Sequence, residues 1–234
     1  MAMEARRLIT ILSDQKEALL SHDLAQWCQR EEEGQLCATS HLAQIVIGVR
    51  RSGKSTLCEK FVRQQEKPFA YVNFDDDRLI SLKTEDFDSV LDALYQVYGD
   101  FEYLFLDEVQ NIEGWQLFVN RLLRQKVHLF VTGSNSKLLS NELTTHLTGR
   151  HNRVELYPFS FVEYAAARGV ELRALSTKAQ ALRKKALSEY LTEGGFPELL
   201  HEPNKQGYIE ALLNAIVKND IAKRFRVRHV EVLR

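Results

Sequence analysis

The sequence predicts an α/β protein with a five-stranded, mainly parallel sheet, followed by a small helical domain. Short apolar runs typical of buried strands alternate with helical segments of about 10–15 residues over the first two thirds of the chain. This alternation favours crossover connections between parallel strands, with helices on both faces of the sheet. After Phe159 the helical periodicity continues, but no convincing strand separates the helices.

The predicted elements divide the chain into three parts. We expect an N-terminal helical segment at 1–40, a core at 41–159 and a small helical domain at 160–234. Each predicted strand ends close to a glycine, a proline or an acidic residue; the strands are 44–47, 69–74, 103–106, 127–132 and 153–156. Helical spacing of apolar residues predicts helices at 5–30, 55–65, 86–98, 114–125, 160–168, 178–192 and 205–226.

Composition and charge narrow the class of protein. The chain has 234 residues, 44% of them hydrophobic, and a formal net charge of -1, so it is not a polyelectrolyte as a whole. No apolar run approaches the roughly 20 residues of a membrane helix, and no secretory signal is apparent. Cys28, Cys37 and Cys58 fit no pattern of paired zinc ligands and are read as reduced thiols. We expect a cytoplasmic protein without membrane attachment.

A phosphate-binding loop follows the first predicted strand. Residues Gly48–Ser55 read GVRRSGKS, which fits G-x-x-x-x-G-K-[ST] between a strand and a helix. Gly48 and Gly53 allow successive N–H groups to point inward, and the following helix adds its positive end. Lys54 supplies a charge for the β- and γ-phosphates, and Ser55 a hydroxyl ligand for Mg²⁺. We count three further residues of this stretch as nucleotide-binding by position, without assigning chemistry to the arginine: Arg51, Ser52 and Thr56.

Two acids follow the third predicted strand, and they predict hydrolysis. The apolar run ends in Asp107 and Glu108, about fifty residues after the loop. We expect Asp107 to face Mg²⁺ through a coordinated water and Glu108 to act as the general base toward the attacking water. Acidic residues also commonly begin solvated loops after strands. The pair therefore predicts hydrolysis only in combination with the phosphate-binding loop. The predicted substrate is ATP, because no N-K-x-D guanine reader is present.

Polar residues after the fourth strand and a later arginine are candidates for contact with the γ-phosphate. Ser134 or Asn135 lies where the strand ends, at the edge at which ligands of parallel sheets gather. Arg150 is a candidate to neutralise charge on the γ-phosphoryl group, in its own subunit or in a neighbouring one. A hydrogen-bonded turn and a surface arginine after a helix-capping glycine are the plainer interpretations.

The motifs together resemble one group of predicted ATPases of the AAA+ superfamily, found in bacteria and archaea. In that group an AAA domain of the AAA_14 type is joined to a C-terminal domain of unknown function. The resemblance runs from Leu42 to Lys223, and it rests on the segments GVRRSGKSTL, YVNFDDDRL, YLFLDEVQNIEGW, FVTGSNSKLL, LTGR, LYPFSFVEY and EGGFPELL.

The resemblance implies a five-stranded core with a helical lid and gives family roles to the residues above. Lys54 and Ser55 correspond to Walker A, Asp107 and Glu108 to Walker B, Ser134 or Asn135 to sensor 1, and Arg150 to an arginine finger. No clear sensor 2 arginine is seen in the helical part. Family members generally continue into a winged-helix segment and a further domain, so the chain is expected to be truncated at Arg234.

The main hypothesis is therefore a Mg²⁺-dependent ATPase whose nucleotide state moves the helical lid. The alternative is a nucleotide-gated switch or assembly module with little turnover; a small-molecule kinase would need an acceptor site that we do not find. Expected partners are ATP and, if Arg150 acts in trans, further copies of the chain. Nucleic acid is a candidate partner, because residues 218–234 carry a local charge of +4.

Overall fold

The computed structural model describes residues 2–24, 27–134 and 147–222. Within these ranges, five strands form one sheet in the order β2-β3-β4-β1-β5. The strands are β1 (Ala43–Gly48), β2 (Phe69–Asn73), β3 (Tyr103–Asp107), β4 (His128–Ser134) and β5 (His151–Leu156). The strands β2, β3 and β4 pair in parallel. The prediction of an α/β protein with a five-stranded, mainly parallel sheet is confirmed.

α-Helices connect the strands, and further α-helices follow β5. The α-helices are α1 (Ala2–Leu20), α2 (Lys54–Gln64), α3 (Phe87–Tyr98), α4 (Trp115–Arg124), α5 (Phe161–Ala167), α6 (Thr177–Glu193) and α7 (Lys205–Ala215). A π-helical turn, Ile216–Ala222, follows α7 directly. Short 3-10 helices lie at Glu31–Gln35, Asp77–Leu79, Thr84–Asp86, Val109–Asn111 and Pro197–Leu200. None of the helices in the described ranges is long and apolar enough to cross a membrane.

The strands β1 and β3 are buried along their full length. All six residues of β1 and all five of β3 are buried, as expected for parallel strands covered on both faces. Helices α1 and α3 contact β2, whereas α2 contacts β3 and β4. The apolar runs of β1, β3 and β4 therefore contribute to the hydrophobic core, and the buried acid Asp107 lies where β3 ends.

The register of β3 and β4 places the ends of these strands side by side. Leu106 pairs with Val131, so Asp107 and Thr132 follow at the next position of each strand. Both residues are buried, with 3% and 0% of their surface exposed. Buried polar groups at such positions need hydrogen-bond partners, and those partners form the candidate active site.

The contacts group the described chain into two units. Of the described residues, the first contains 2–24, 27, 31–47, 54–134 and 147–155, which include most of the sheet and α1–α4. The second contains 28–30, 48–53 and 156–222, so the loop after β1 belongs to the same unit as α5–α7. The predicted boundaries at 40/41 and 159/160 stay predictions.

The first helix is shorter than the apolar spacing predicts. We expected a helix over 5–30, but α1 ends at Leu20. The hydroxyl of Ser21 donates to the carbonyl oxygen of Ala18 at 2.6 Å and so occupies one of the backbone acceptors at the end of the helix. Serine side chains compete with the backbone in this way and favour helix ends. The apolar residues beyond Leu20 therefore mark separate turns and not a longer helix.

Candidate active site

A buried carboxylate at the end of β3 is surrounded by hydroxyl groups. Ser55 Oγ, in the first turn of α2, donates to Asp107 Oδ1 at 2.8 Å. Thr132 Oγ1 on β4 donates to the same oxygen, and the hydroxyl of Tyr71 on β2 donates to Oδ2 at 3.3 Å. Three secondary-structure elements thus supply donors to one side chain. The structure brings together the two residues that the sequence predicts as metal ligands, Ser55 and Asp107.

The Asp107 carboxyl has a raised pKa of about 6, chiefly because burial disfavours its charged form. The hydrogen bond from Thr132 acts in the opposite direction, and the charge of Glu108 raises the pKa further. Smaller lowering effects come from the hydroxyl of Ser55 and the ammonium of Lys54. A cation bound at this position would favour the ionised form, because an adjacent positive charge stabilises the carboxylate.

Glu108 adopts a backbone conformation that non-glycine residues rarely use. Its φ and ψ are 50° and 42°, in the left-handed region. Its N–H donates to Thr132 Oγ1 at 3.1 Å, so one threonine hydroxyl contacts both acids. Strained residues of this kind cluster at functional sites, and the turn directs Glu108 away from the buried strand.

The carboxylate of Glu108 is held on two sides. Lys54 Nζ lies 3.8 Å from its Oε1, and Gln110 Nε2 donates to its Oε2 at 2.5 Å. The side chain of Lys54 is 4% exposed and that of Glu108 is 20% exposed. An ammonium and a partly exposed carboxylate in this arrangement can contact a polyphosphate and a water molecule, respectively.

The loop after β1 is tightly packed in the second unit. A Cβ added to Gly48 would lie 2.1 Å from the carbonyl oxygen of Leu156, so no larger residue fits there without movement. Gly53 has a φ of 93°, which glycine adopts without strain and other residues rarely adopt. Both glycines of the motif are therefore required by the geometry, one by close approach and one by backbone angle.

The loop also contains a polar group suited to a ligand. Ser52 is fully buried, and its Oγ has no hydrogen-bond partner among the described residues. A buried hydroxyl without a partner carries a free-energy cost unless a ligand or water satisfies it. This orphan hydroxyl, together with the two glycines, fits a loop that binds an anion such as a phosphate.

Arg51 and Thr56 lie at the exposed side of this segment. Arg51 has a φ of 67°, and its guanidinium forms an ion pair with Glu198 at 2.7 Å, with both side chains about half exposed. Thr56, in the first turn of α2, is also exposed. Their predicted nucleotide contacts stay predictions.

The remaining predicted site residues are placed as follows. Ser134 is the last residue of β4, but its side chain and the whole of Asn135 lie outside the described residues. Arg150 is exposed, and its Nη1 donates to Asn120 on α4 at 3.3 Å. Its carbonyl accepts from Ala43 N, at the amino end of β1. The structure therefore does not bring Arg150 to Asp107 and Glu108, and the phosphate loop follows the opposite end of β1.

Three side chains that contact Asp107 or Glu108 were not predicted from the sequence: Tyr71, Thr132 and Gln110. Thr132 lies inside an apolar strand, where a threonine is typical of β structure and attracts no attention. Its position at the carboxyl end of a strand next to the acid-bearing strand is the signal that was available. Tyr71 and Gln110 offered no such signal, because their role depends on register and on the turn after Glu108.

A parallel sheet with a G-x-x-x-x-G-K-S loop after one strand and a buried acid at the end of another defines the P-loop nucleoside triphosphatase class. Within this class, residues 40–165, more than half of the chain, match the family model AAA_14, an AAA domain. The chain belongs to this family of the AAA+ superfamily, as the motif resemblance indicated.

Individual relatives agree with this assignment. The chain is 32% identical over 196 residues to the uncharacterized protein MJ1544 of Methanocaldococcus jannaschii, covering 82% of the chain and 44% of that protein. It is 34% identical over 201 residues to an uncharacterized protein of Haemophilus influenzae, covering 82% and 49%. The chain thus spans about half the length of the curated relatives it matches.

The fold is also similar to a solved structure. The Walker-type ATPase PABY2304 of Pyrococcus abyssi superposes with a TM-score of 0.50 at 17% identity, covering 87% of this chain and 76% of that one. At this identity the likeness concerns the fold.

We predict that Thr132→Val weakens the native structure, because it removes the hydroxyl shared by the two acids. The substitution keeps the side-chain shape but leaves the buried N–H of Glu108 without its acceptor, and Asp107 Oδ1 keeps only the hydroxyl donor of Ser55. The free energy of unfolding should fall by about 1–3 kcal/mol in urea titrations. Thr192→Val, which removes an exposed hydroxyl bound to the Ser188 carbonyl, is the control and should change it by less than about 0.5 kcal/mol. Equal effects of the two substitutions would contradict the role assigned to Thr132.

Proposed function

We propose that this chain binds ATP with Mg²⁺ and hydrolyses it. The observation that carries the proposal is the hydrogen bond of 2.8 Å between Ser55 Oγ and Asp107 Oδ1. Because Ser55 donates its proton to Asp107, its oxygen lone pairs are available to a cation. A hydroxyl and a carboxylate in this arrangement offer the oxygen ligands that Mg²⁺ prefers. Membership of the AAA domain family supports nucleotide binding.

Each residue of the site has a distinct part in this proposal. The N–H groups of the phosphate loop, Gly48–Ser55, and the ammonium of Lys54 bind the phosphates. Ser55 and Asp107 would hold Mg²⁺, which, when bound, supplies positive charge for the developing negative charge of the transferred phosphoryl group. Glu108 orients a water molecule and accepts its proton.

The proposal includes a conformational response of the helical part. Residues 48–53 group with α5–α7 in one unit, so a change in the loop on nucleotide binding is expected to alter the environment of these helices. The alternative function, a nucleotide-gated switch with little turnover, shares this response. One observation favours keeping it: the guanidinium of Arg150 contacts Asn120 and does not lie with the two acids. Action of Arg150 in a neighbouring subunit and contact with nucleic acid stay predictions.

Substitution of the buried lysine tests nucleotide binding. Lys54→Ala removes the ammonium that neutralises the phosphates, so the affinity for ATP measured by titration calorimetry should fall at least about 10-fold. Lys67→Ala serves as the control, because Lys67 is exposed and its ammonium pairs with Glu102, the residue before β3. Equal ATP affinities for the native chain and Lys54→Ala would refute nucleotide binding at this loop.

Substitution of the second acid separates an ATPase from a switch. Glu108→Gln removes the general base, so phosphate release should fall by about 10²–10⁴-fold while ATP affinity is retained. Glu113→Gln makes the same change at an exposed acid beyond the turn and should leave turnover intact. If Glu108→Gln releases phosphate at the native rate, the chain is better described as a switch.

The same Glu108→Gln protein also tests the response of the helical part, because it holds ATP without cleaving it. Amide hydrogen exchange in α5 should differ between the ATP-bound and nucleotide-free protein. Identical exchange in the two states would argue against a response of this helix.

A further inference from the structure

The side chain of Arg30 joins three parts of the second unit that are far apart in sequence. Only 6% of the residue is exposed, and each guanidinium nitrogen donates to a different acceptor. Nε donates to Glu163 Oε1 at 2.7 Å, Nη1 to the Ser52 carbonyl at 3.0 Å and Nη2 to the Tyr157 carbonyl at 2.6 Å. One of these acceptors, Ser52, belongs to the phosphate loop.

Both side chains of the ion pair between Arg30 and Glu163 are buried. The two side chains are 5% and 6% exposed, and the guanidinium also lies over the ring of Phe159 at 4.9 Å. Removing two charges from water is costly, and a hydrophobic pair of similar size is often as stable. Stabilisation by the ion pair is therefore a weak explanation for an arginine at this position. The fixed directions in which a guanidinium donates its hydrogen bonds are a more specific explanation.

Glu163 is itself held in place. Its Oε2 accepts from the N–H of Ser160 at 2.8 Å, and the Ser160 hydroxyl accepts from the N–H of Glu163, which forms a capping box at the start of α5. The carboxylate thus has one oxygen on the helix cap and the other on Arg30. The carboxylate that binds the guanidinium is therefore itself fixed by hydrogen bonds at a helix terminus.

The hydrogen bond to the Ser52 carbonyl has a consequence for the loop. The described peptide bonds include no cis bond, and in a trans peptide the C=O and the following N–H point in opposite directions. By holding the Ser52 oxygen, Arg30 therefore fixes the direction of the Gly53 N–H, the amide immediately before Lys54. A Cβ placed on Gly53 would lie 3.6 Å from Arg30 Nη1, so the two groups pack directly together.

We propose that Arg30 is a positioning residue of the phosphate loop, which orients the Ser52–Gly53 peptide so that the Gly53 N–H faces bound phosphate. This inference rests on the proposed function, because it assumes that the loop binds ATP. It also provides a covalent and hydrogen-bonded route by which a change in the loop reaches the cap of α5. Arg30 contacts no substrate in this account and acts through the backbone of the loop.

Two substitutions separate a positioning role from a purely structural one. Arg30→Met removes the donor to Ser52 but leaves the Glu163 carboxylate buried without its partner, so this protein is expected to lose stability. Arg30→Met/Glu163→Gln removes both charges, and the glutamine oxygen still accepts from Ser160, so this protein is expected to fold. Arg183→Met is the matched control, because Arg183 donates to the Leu172 carbonyl in the same unit but has no contact with the loop in the described structure.

The experiment measures ATP affinity by calorimetry in EDTA, so that the metal site does not contribute, together with unfolding in urea for each protein. The double variant should unfold near the native midpoint but bind ATP at least about 10-fold more weakly, because the peptide is no longer oriented. Arg183→Met should bind ATP like the native chain.

A folded double variant that binds ATP within twofold of the native chain overturns the proposal, since the pair is then structural only. Lys54→Ala, measured in the same series, distinguishes this result from failure of the proposed function. A normal loss of affinity in Lys54→Ala with none in the double variant refutes the role of Arg30 alone. Equal affinities of the native chain and Lys54→Ala refute both proposals.

Discussion

The carboxylate of Asp107 is the group on which the arrangement of the site depends. It lies at the end of a strand buried on both faces, where an unsatisfied charged or polar group would be costly. The chain satisfies it with hydroxyls from α2, β2 and β4, and these donors fix where the first turn of α2 lies relative to the sheet. The same interactions place Lys54, one residue before Ser55, beside Glu108.

The parts of the site that follow from local sequence were predictable, and those that follow from register were not. The phosphate loop and the Asp107–Glu108 pair are contiguous patterns with a chemical meaning, so they can be predicted from the sequence alone. Thr132 reaches Asp107 because β3 and β4 pair with Leu106 opposite Val131, and a single sequence does not state which strands are neighbours. The fold class was predictable for a similar reason, since strand and helix periodicities are local.

Arg30 shows the limit of sequence reasoning most clearly. It stands in a polar stretch that looks like a break between a helix and a strand, yet it is buried and contacts residues 22, 127 and 133 positions away. Such contacts appear only when the chain is folded. Arg150, by contrast, attracted attention through its motif but lies exposed against Asn120. The motif around a residue therefore does not predict whether that residue is buried or which residues it contacts.

A crystal structure of the chain with Mg²⁺ and a non-hydrolysable ATP analogue tests the central claim most directly. The account predicts the metal at about 2.0–2.1 Å from Ser55 Oγ, with Asp107 on its water shell and still bonded to Thr132, and Lys54 on the phosphates. A triphosphate bound away from Gly48–Ser55, or a metal that contacts neither Ser55 nor the waters held by Asp107, would contradict it.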